Sequence, residues 1–197
     1  ALIDMIPSMT KSGLEGFVPH SGGAVFNTAI ALGRLGTRVG MLTAISTDFF
    51  GQQLLRDLKA SHVDPSLTVE THRPTTLAFV RLERGQARYA FFDENSAGRM
   101  LTAADLPAIP ADVGTLFFGG ISLAVEPGGA AYAALAARQG DGRVIMIDPN
   151  IRPGFIRDPE TYRTRLLSMI AGVDILKISD EDLDWLVPDA TATDQRV

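Results

Sequence analysis

The chain has 197 residues, of which 46% are hydrophobic and 21% charged, and its net charge is −5. This composition is typical of a globular protein, and the acidic balance argues against a nucleic-acid-binding surface. The sequence contains no cysteine, which excludes disulfides and thiolate metal sites, and no apolar run approaches the ~20 residues of a membrane span. No basic segment followed by an apolar stretch indicates secretion, so we expect a soluble cytoplasmic protein without membrane or nucleic-acid partners.

The first residues predict the end of a buried strand that carries an acid. The segment Ala1–Pro7 is apolar except for Asp4. Ligands of open α/β sheets bind at the carboxyl ends of strands, so Asp4 is a candidate ligand-binding residue. A polar residue in a turn at the end of the strand is an equally good interpretation. The polar residues 8–19 predict a loop that leads into a short strand near Phe17 and Val18.

Two glycines, Gly22 and Gly23, come next and lack the Cβ that would keep a ligand away from the backbone. An amphipathic helix follows them directly, with Asn27 in its first turn and Gly36 where a left-handed cap is expected. Free N–H donors at the start of a helix suit hydroxyl groups or an anion. From the spacing alone, a tight turn without a ligand explains the two glycines equally well.

The middle of the chain changes from a helical period to a strand period. Residues 38–45 predict a strand, and Asp48 is placed to cap the next helix. Two β-rich runs, Thr75–Glu83 and Gln86–Asp93, flank Arg84-Gly85 and predict a hairpin. Since both faces of the hairpin are apolar, it must pack on the body of the protein, on other strands or on a second subunit.

From Thr102 onward, strands and helices alternate, which predicts an α/β fold with a mostly parallel central sheet flanked by helices. One strand ends in Asp148-Pro-Asn-Ile-Arg152. This string is consistent with a simple turn whose arginine is solvated, or with a site in which the arginine binds an oxyanion. In the run Lys177–Asp182, Ser179 and Asp182 have the spacing of a helix capping box.

The stretch from Gly22 to Gly51 as a whole resembles the first signature of the ribokinase-like (PfkB-type) sugar kinases. The resemblance rests on the strings Gly-Gly-Ala-Val-Phe-Asn-Thr-Ala and Ser-Thr-Asp-Phe-Phe-Gly, with Val25 and Ser46 as departures, and on Asp-Pro-Asn-Ile-Arg. It is strongest to fructokinases and 2-keto-3-deoxygluconate kinases. The resemblance implies phosphorylation of a sugar hydroxyl by ATP with Mg²⁺.

The resemblance implies a role for each candidate residue. The residues that would bind the sugar are Asp4, Gly22, Gly23, Asn27, Phe92, Asn150 and Arg152. Arg152 would also stabilise the transferred phosphoryl group, and Lys177 and Ser179 would face the nucleotide. Asp182 would act on Mg²⁺ indirectly, through water. For Lys177, a solvated lysine is the alternative. For Ser179 and Asp182, which stand where the family has Asn and Glu, the alternative is a simple helix cap.

The resemblance also implies a small β-sheet lid over the sugar, built from strands at about residues 14–21 and 75–93. A homodimer would form through this lid, while a monomer whose lid packs on its own body is the alternative. The family's second signature, Gly-Ala-Gly-Asp, supplies the catalytic base and part of the nucleotide site. We expect it after Val197, so residues 1–197 should form an incomplete kinase domain that is inactive alone.

Asp93 is the residue from which we predict whether the substrate is a neutral or an acidic sugar. Ketodeoxygluconate kinases resemble this chain around residues 89–93 but carry a nearby arginine that suits a substrate carboxylate. An acid at this place would repel a carboxylate, which favours a neutral ketohexose such as fructose. A 2-keto-3-deoxygluconate kinase and a non-catalytic sugar-binding module are the alternative functions.

Overall fold

The computed structural model describes residues 1–83, 86–139 and 142–188. Its contacts divide the chain into two compact units, one formed by Ala1–Leu101 and one that begins at Thr102. The turn predicted at Arg84-Gly85 lies outside the described residues. Within the described part of the chain, no helix is long and apolar enough to cross a membrane.

The first unit consists of strands and two helices. Its strands, in chain order, are β1 Leu2–Met9, β2 Glu15–Gly22, β3 Val39–Gly40, β4 Ala44–Ser46, β5 Val63–Asp64, β6 Val69–Thr71, β7 Leu77–Glu83 and β8 Gln86–Phe92. Its helices are α1 Ala24–Arg34 and α2 Phe49–Ala60. The strands that were predicted at residues 75–93 are therefore present as the pair β7 and β8.

Four of these strands form one sheet in the order β2-β1-β7-β8. The central pair β1 and β7 is parallel, whereas β2 and β8 are added antiparallel on the two sides. The short strands form two parallel pairs, β3 with β5 and β4 with β6. One hydrophobic core joins β1, the short strands and both helices through Ile3, Phe26, Ala29, Met41, Ile45, Leu54, Leu58 and Val63.

Two predictions about the first unit are wrong. The strand predicted at about residues 14–21 is present as β2, but the loop predicted before it is too long. β1 continues to Met9 and pairs with β2, leaving only a short turn between them. In that turn the Thr10 hydroxyl donates to the Leu14 carbonyl at 3.0 Å and accepts from the Leu14 N–H at 3.0 Å. The strand predicted at 38–45 is divided into β3 and β4, which have different partners.

Asp48 connects the start of α2 to the start of β7, and its predicted capping role is confirmed. Its Oδ1 accepts from the Gly51 N–H at 2.7 Å. The Thr75 hydroxyl donates to Oδ1 at 2.8 Å, and the Thr75 N–H donates to Oδ2 at 2.9 Å. Burial alone would raise the pKa of Asp48, but the hydrogen bonds from Gly51, Thr75 and Ser46 outweigh it and lower the pKa.

The left-handed cap predicted after α1 is also confirmed, since Gly36 has a φ of 83°.

The second unit is built from parallel strands and the remaining helices. Its elements, in chain order, are β9 Thr115–Gly119, α3 Gly128–Gln139, β10 Val144–Asp148, α4 Pro159–Ile170, β11 Ile175–Leu176 and α5 Asp180–Leu186. The strands form a parallel sheet in the order β11-β10-β9. In the described residues, strand pairs are parallel except for β1 with β2 and β7 with β8, which confirms the α/β prediction.

Candidate functional site

Asp4 lies in the middle of the hairpin formed by β1 and β2, directly opposite His20. Its carboxylate packs against the bare backbone of Gly22, since a Cβ built on Gly22 would be 2.1 Å from Asp4 Oδ2 and 3.1 Å from Cγ. A side chain at Gly22 would therefore occupy the place of the carboxylate. The pair of glycines predicted to bring a ligand close to the backbone thus makes room for Asp4 itself.

The Asp4 carboxylate is half-buried and, within the described residues, has no hydrogen bond or ion pair. Burial raises the pKa of Asp4, and the positive charge of His20 opposes this shift only in part. A partly desolvated carboxylate without a partner retains its full capacity to accept hydrogen bonds. This arrangement suits a ligand that carries hydroxyl groups.

Gly23 lies at the start of α1 and has a φ of 101°, a conformation that favours glycine. Its carbonyl accepts from the Asn27 N–H at 2.8 Å, which closes the first turn of the helix. No side chain caps this helix. The first N–H groups of α1 are therefore available to oxygen atoms of a ligand, as the two glycines predicted.

Asn27 borders a cleft of about 290 Å³ whose lining comes from α1, β2 and α2. The residues that line the cleft are Ser21, Phe26, Asn27, Ile30, Arg34 and Asp57. Ser21 donates a hydrogen bond to Asp57 Oδ2 at 2.5 Å across its wall. Asp4 does not line this cleft, so the structure does not bring the Asn27 side chain and the Asp4 carboxylate together. Their membership of one sugar site stays a prediction.

Phe92 and Asp4 lie on opposite faces of the four-stranded sheet. Leu77 is in register both with Ile3 of β1 and with Phe92 of β8, so these residues form one row across the sheet. Because neighbouring residues of a strand point to opposite faces, Asp4 is on the other side, together with Phe91. The predicted contact of Phe92 with the same sugar that Asp4 binds is not supported by this register.

Asp93 is buried just after β8 and is held by donors from three residues. The Thr76 and Ser96 hydroxyls donate to its Oδ1 at 2.9 and 2.8 Å. Arg99 Nη1 forms an ion pair with Oδ2 at 2.9 Å. The charge of Asp93 is therefore compensated inside the protein, and it does not supply the repulsion of a substrate carboxylate that the sequence suggested.

In the second unit, Asp148 and Lys177 are joined by an ion pair. Lys177 Nζ lies 2.9 Å from Asp148 Oδ2. The Lys177 side chain is 57% exposed and the Asp148 side chain is 17% exposed. Asp148 Oδ1 is buried and has no hydrogen-bond partner within the described residues. Lys177 is therefore positioned by a carboxylate at the end of the neighbouring strand, rather than simply solvated.

The string Asp148–Arg152 leaves the end of β10 in an unusual backbone conformation. Asn150 has a φ of 42°, in the left-handed region that asparagine tolerates better than most residues. Arg152 is exposed, and its Nη1 donates to the carbonyl of Ile151 at 2.9 Å. Arg152 thus follows the carboxyl end of β10, and the phosphoryl contact that the resemblance implied for it stays a prediction.

Ser179 caps α5, which is the structural alternative that the sequence offered. Its hydroxyl accepts from the Asp182 N–H at 3.1 Å. The Asp182 side chain instead accepts from the Ile151 N–H, with Oδ1 at 2.8 Å. This link between α5 and the string after β10 could not be recognised from the capping-box spacing alone.

The described residues contain no group of three or more His, Cys, Asp or Glu side chains that could hold a metal ion. The Asp182 carboxylate is buried and accepts a backbone N–H through Oδ1, and its implied contact with metal-bound water stays a prediction. The ion pair of Asp148 and Lys177 was not predicted from the sequence. The signal for it was available, because each residue follows a predicted parallel strand.

Comparison with known proteins identifies the family. A model of the "pfkB family carbohydrate kinase" matches residues 5–197. A fructokinase of Rhizobium leguminosarum bv. trifolii is 55% identical over 185 residues, which cover 94% of this chain and 57% of that protein. The chain thus spans little more than half the length of this relative.

Solved structures agree with this result. A fructokinase of Xylella fastidiosa superposes with a TM-score of 0.88 at 27% identity, covering 97% of this chain and 63% of that one. A Vibrio cholerae fructokinase in a form with bound fructose, ADP and calcium ion superposes with a TM-score of 0.84 at 25% identity, covering 99% and 62%. These superpositions confirm the ribokinase-like fold predicted from the sequence. Together with the match over residues 5–197, they show that the chain belongs to the pfkB family of carbohydrate kinases.

Proposed function

We propose that this chain is the sugar-binding part of an ATP-dependent sugar kinase whose acceptor is a ketohexose, most simply fructose. The observation that carries the proposal is the half-buried Asp4 carboxylate, which packs on Gly22 and has no protein partner in the described residues. The family match, the fructokinase relative and the fructose in the Vibrio structure support the choice of substrate.

In this proposal the sugar hydroxyls donate to Asp4, and the bare backbone at Gly22 and Gly23 lets the sugar ring approach. The half-buried setting strengthens these hydrogen bonds because a hydrogen bond is electrostatically stronger where the surroundings are less polar than water. Asn27 and Asn150 are proposed to add amide contacts.

The second substrate in this proposal is ATP, bound as its Mg²⁺ complex. During transfer, a sugar hydroxyl gives its proton to the catalytic base of the family's second signature, and its oxygen forms a bond to the γ-phosphorus. The bond from that phosphorus to the β–γ bridging oxygen breaks, and ADP leaves. Positive groups that face the moving phosphoryl group are the main protein contribution to such a step. We assign this role to Arg152, and we place Lys177 and Ser179 beside the nucleotide. We place the reaction in the cytoplasm, where MgATP is available.

The test is a panel of acceptors with the complete gene product that contains this chain. ADP formation from MgATP is measured with fructose, glucose, ribose and 2-keto-3-deoxygluconate. We expect the highest kcat/KM with fructose. Higher kcat/KM with ketodeoxygluconate would establish the alternative kinase, and sugar binding without ADP formation would establish a non-catalytic sugar-binding module.

We also propose that the protein forms a homodimer through the sheet β2-β1-β7-β8, which we interpret as the lid. One face of this sheet carries a row of aromatic contacts, with ring centroids of Phe17 and Phe79 at 4.9 Å and those of Phe79 and Phe92 at 5.4 Å. Phe17 and Phe92 are nevertheless 48% and 58% exposed, which is a large apolar surface for one protomer to leave in water.

The oligomeric state tests this proposal by light scattering at micromolar concentration. Phe92→Ser should shift the protein toward the monomer. Phe49→Ser is the matched control, because Phe49 is 70% exposed but belongs to α2 rather than to the sheet. A wild-type protein that is monomeric would refute the dimer and would favour a lid that packs on its own protomer.

A further inference from the structure

Asp182 is a buried carboxylate in the first turn of α5, with 5% of its surface exposed. Its backbone N–H is used by the Ser179 cap, but its side chain leaves the helix. Oδ1 accepts from the N–H of Ile151 at 2.8 Å. The buried charge also raises the pKa of the neighbouring Tyr162 hydroxyl, although burial of Tyr162 is the larger cause.

Ile151 is the central residue of the string that follows β10, and both of its peptide groups are fixed by side chains. Its N–H donates to Asp182, and its carbonyl accepts from Arg152 Nη1 at 2.9 Å. The Ile151 side chain is buried as well. On its N-terminal side, Asn150 has the left-handed φ of 42°. Such a conformation persists only where surrounding contacts determine it.

We propose that Asp182 is a positioning residue that fixes the Ile151 peptide and thereby sets the directions of Asn150 and Arg152. This proposal rests on the proposed function, in which those two residues contact the sugar and the phosphoryl group. The resemblance implied that an acid at this place holds water around the metal of the nucleotide. In this chain, the carboxylate is occupied by a charge-assisted hydrogen bond from the backbone instead.

Two substitutions separate the roles, because they change opposite properties of Asp182. Asp182→Asn keeps an oxygen acceptor of the same reach and removes the charge. Asp182→Glu keeps the charge, is the acid usual in the family, and displaces the acceptor by one methylene. A positioning role predicts higher kcat for the Asn variant than for the Glu variant. A role toward metal-bound water predicts the reverse order and a shifted Mg²⁺ dependence.

Hydrogen exchange at the Ile151 amide, measured by NMR on the complete gene product, gives a readout that does not depend on activity. We expect Asp182→Glu to accelerate this exchange about 10- to 150-fold, as for the loss of one hydrogen bond to a charged acceptor, and Asp182→Asn to accelerate it less. Asp180→Asn is the matched control, since Asp180 is exposed in the same helix turn and should leave the exchange unchanged.

The outcomes distinguish this proposal from the proposed function. If the wild-type protein phosphorylates no sugar, the kinase function fails, while the exchange rates still test the contact between Asp182 and Ile151. If the wild type is active and the Glu variant retains both its kcat and its slow Ile151 exchange, the positioning role is overturned. Loss of activity in both variants supports positioning only when Ile151 exchange accelerates with it, and overturns it when exchange is unchanged.

Discussion

The contact between Gly22 and Asp4 gives a prediction whose size follows from the structure. An alanine at position 22 would place its Cβ 2.1 Å from Asp4 Oδ2. Normal van der Waals contact needs about 3.5 Å, so the carboxylate must move by more than about 1 Å. A hydrogen bond of ordinary length does not survive such a displacement. Gly22→Ala should therefore remove the proposed interaction of Asp4 with a sugar hydroxyl.

The expected loss is about 1–3 kcal/mol, which corresponds to an increase of about 5- to 160-fold in the dissociation constant of the sugar. The fold itself should tolerate the change, since Gly22 does not have a left-handed φ and the obstructing atoms belong to a side chain. Sugar binding to the complete gene product, measured by isothermal titration calorimetry, provides the assay. Thermal unfolding should show a nearly unchanged melting temperature.

Two comparisons make this prediction refutable. Gly16→Ala is the control in the same strand, because the nearest atom to its new Cβ would be Thr10 Cγ2 at an ordinary 3.5 Å. In an Asp4→Ala background the clash is absent, so Gly22→Ala should add little to the loss. If Gly22→Ala binds sugar as tightly as the wild type, or if it weakens binding equally in both backgrounds, the reasoning is wrong.

Two further predictions concern stability. Because burial raises the pKa of Asp4, its charged form destabilises the folded state. This penalty is absent below the unfolded pKa of about 3.9 and complete above the folded pKa, so the melting-temperature advantage of Asp4→Asn should grow from pH 4 to pH 7. Asp48→Ala removes a helix cap and the bonds from Thr75, and should cost about 1–3 kcal/mol in chemical denaturation at pH 7. Since the pKa of Asp48 is lowered, this contribution should disappear as the pH falls through that pKa. The exposed cap Asp158→Ala should cost less.

The sequence predicted well what depends on neighbouring residues. Asp48 and Ser179 cap the helices that follow them, and each of these bonds spans only three residues. The sequence predicted β2 but not the continuation of β1 to Met9, because the polar residues after Pro7 favour a loop. Pro7 and Pro19 both lie within strands. The structure tolerates both prolines, since β2 is an edge strand and the pairing of β1 with β7 ends at Met5.

Contacts between distant parts of the chain were harder to predict. Asp182 and Ile151 are 31 positions apart, and neither residue type indicates the other. The pair Lys177 and Asp148 depends on the register of β10 with β11. The family resemblance assigned Lys177 to the nucleotide and Asp182 to the metal, whereas only the geometry shows their contacts with Asp148 and Ile151.

The buried pair formed by Asp93 and Arg99 restricts the routes by which substrate preference can evolve in this protein. Replacing either residue alone would leave an uncompensated charge beside the Thr76 and Ser96 hydroxyls. Breaking such a pair typically costs about 3–5 kcal/mol, a large share of the stability of most domains. A descendant that replaced Asp93 by an uncharged residue would have to replace Arg99 at nearly the same time, or leave its guanidinium without a partner. Descendants that keep the pair would adjust their specificity elsewhere, without passing through a poorly folded intermediate.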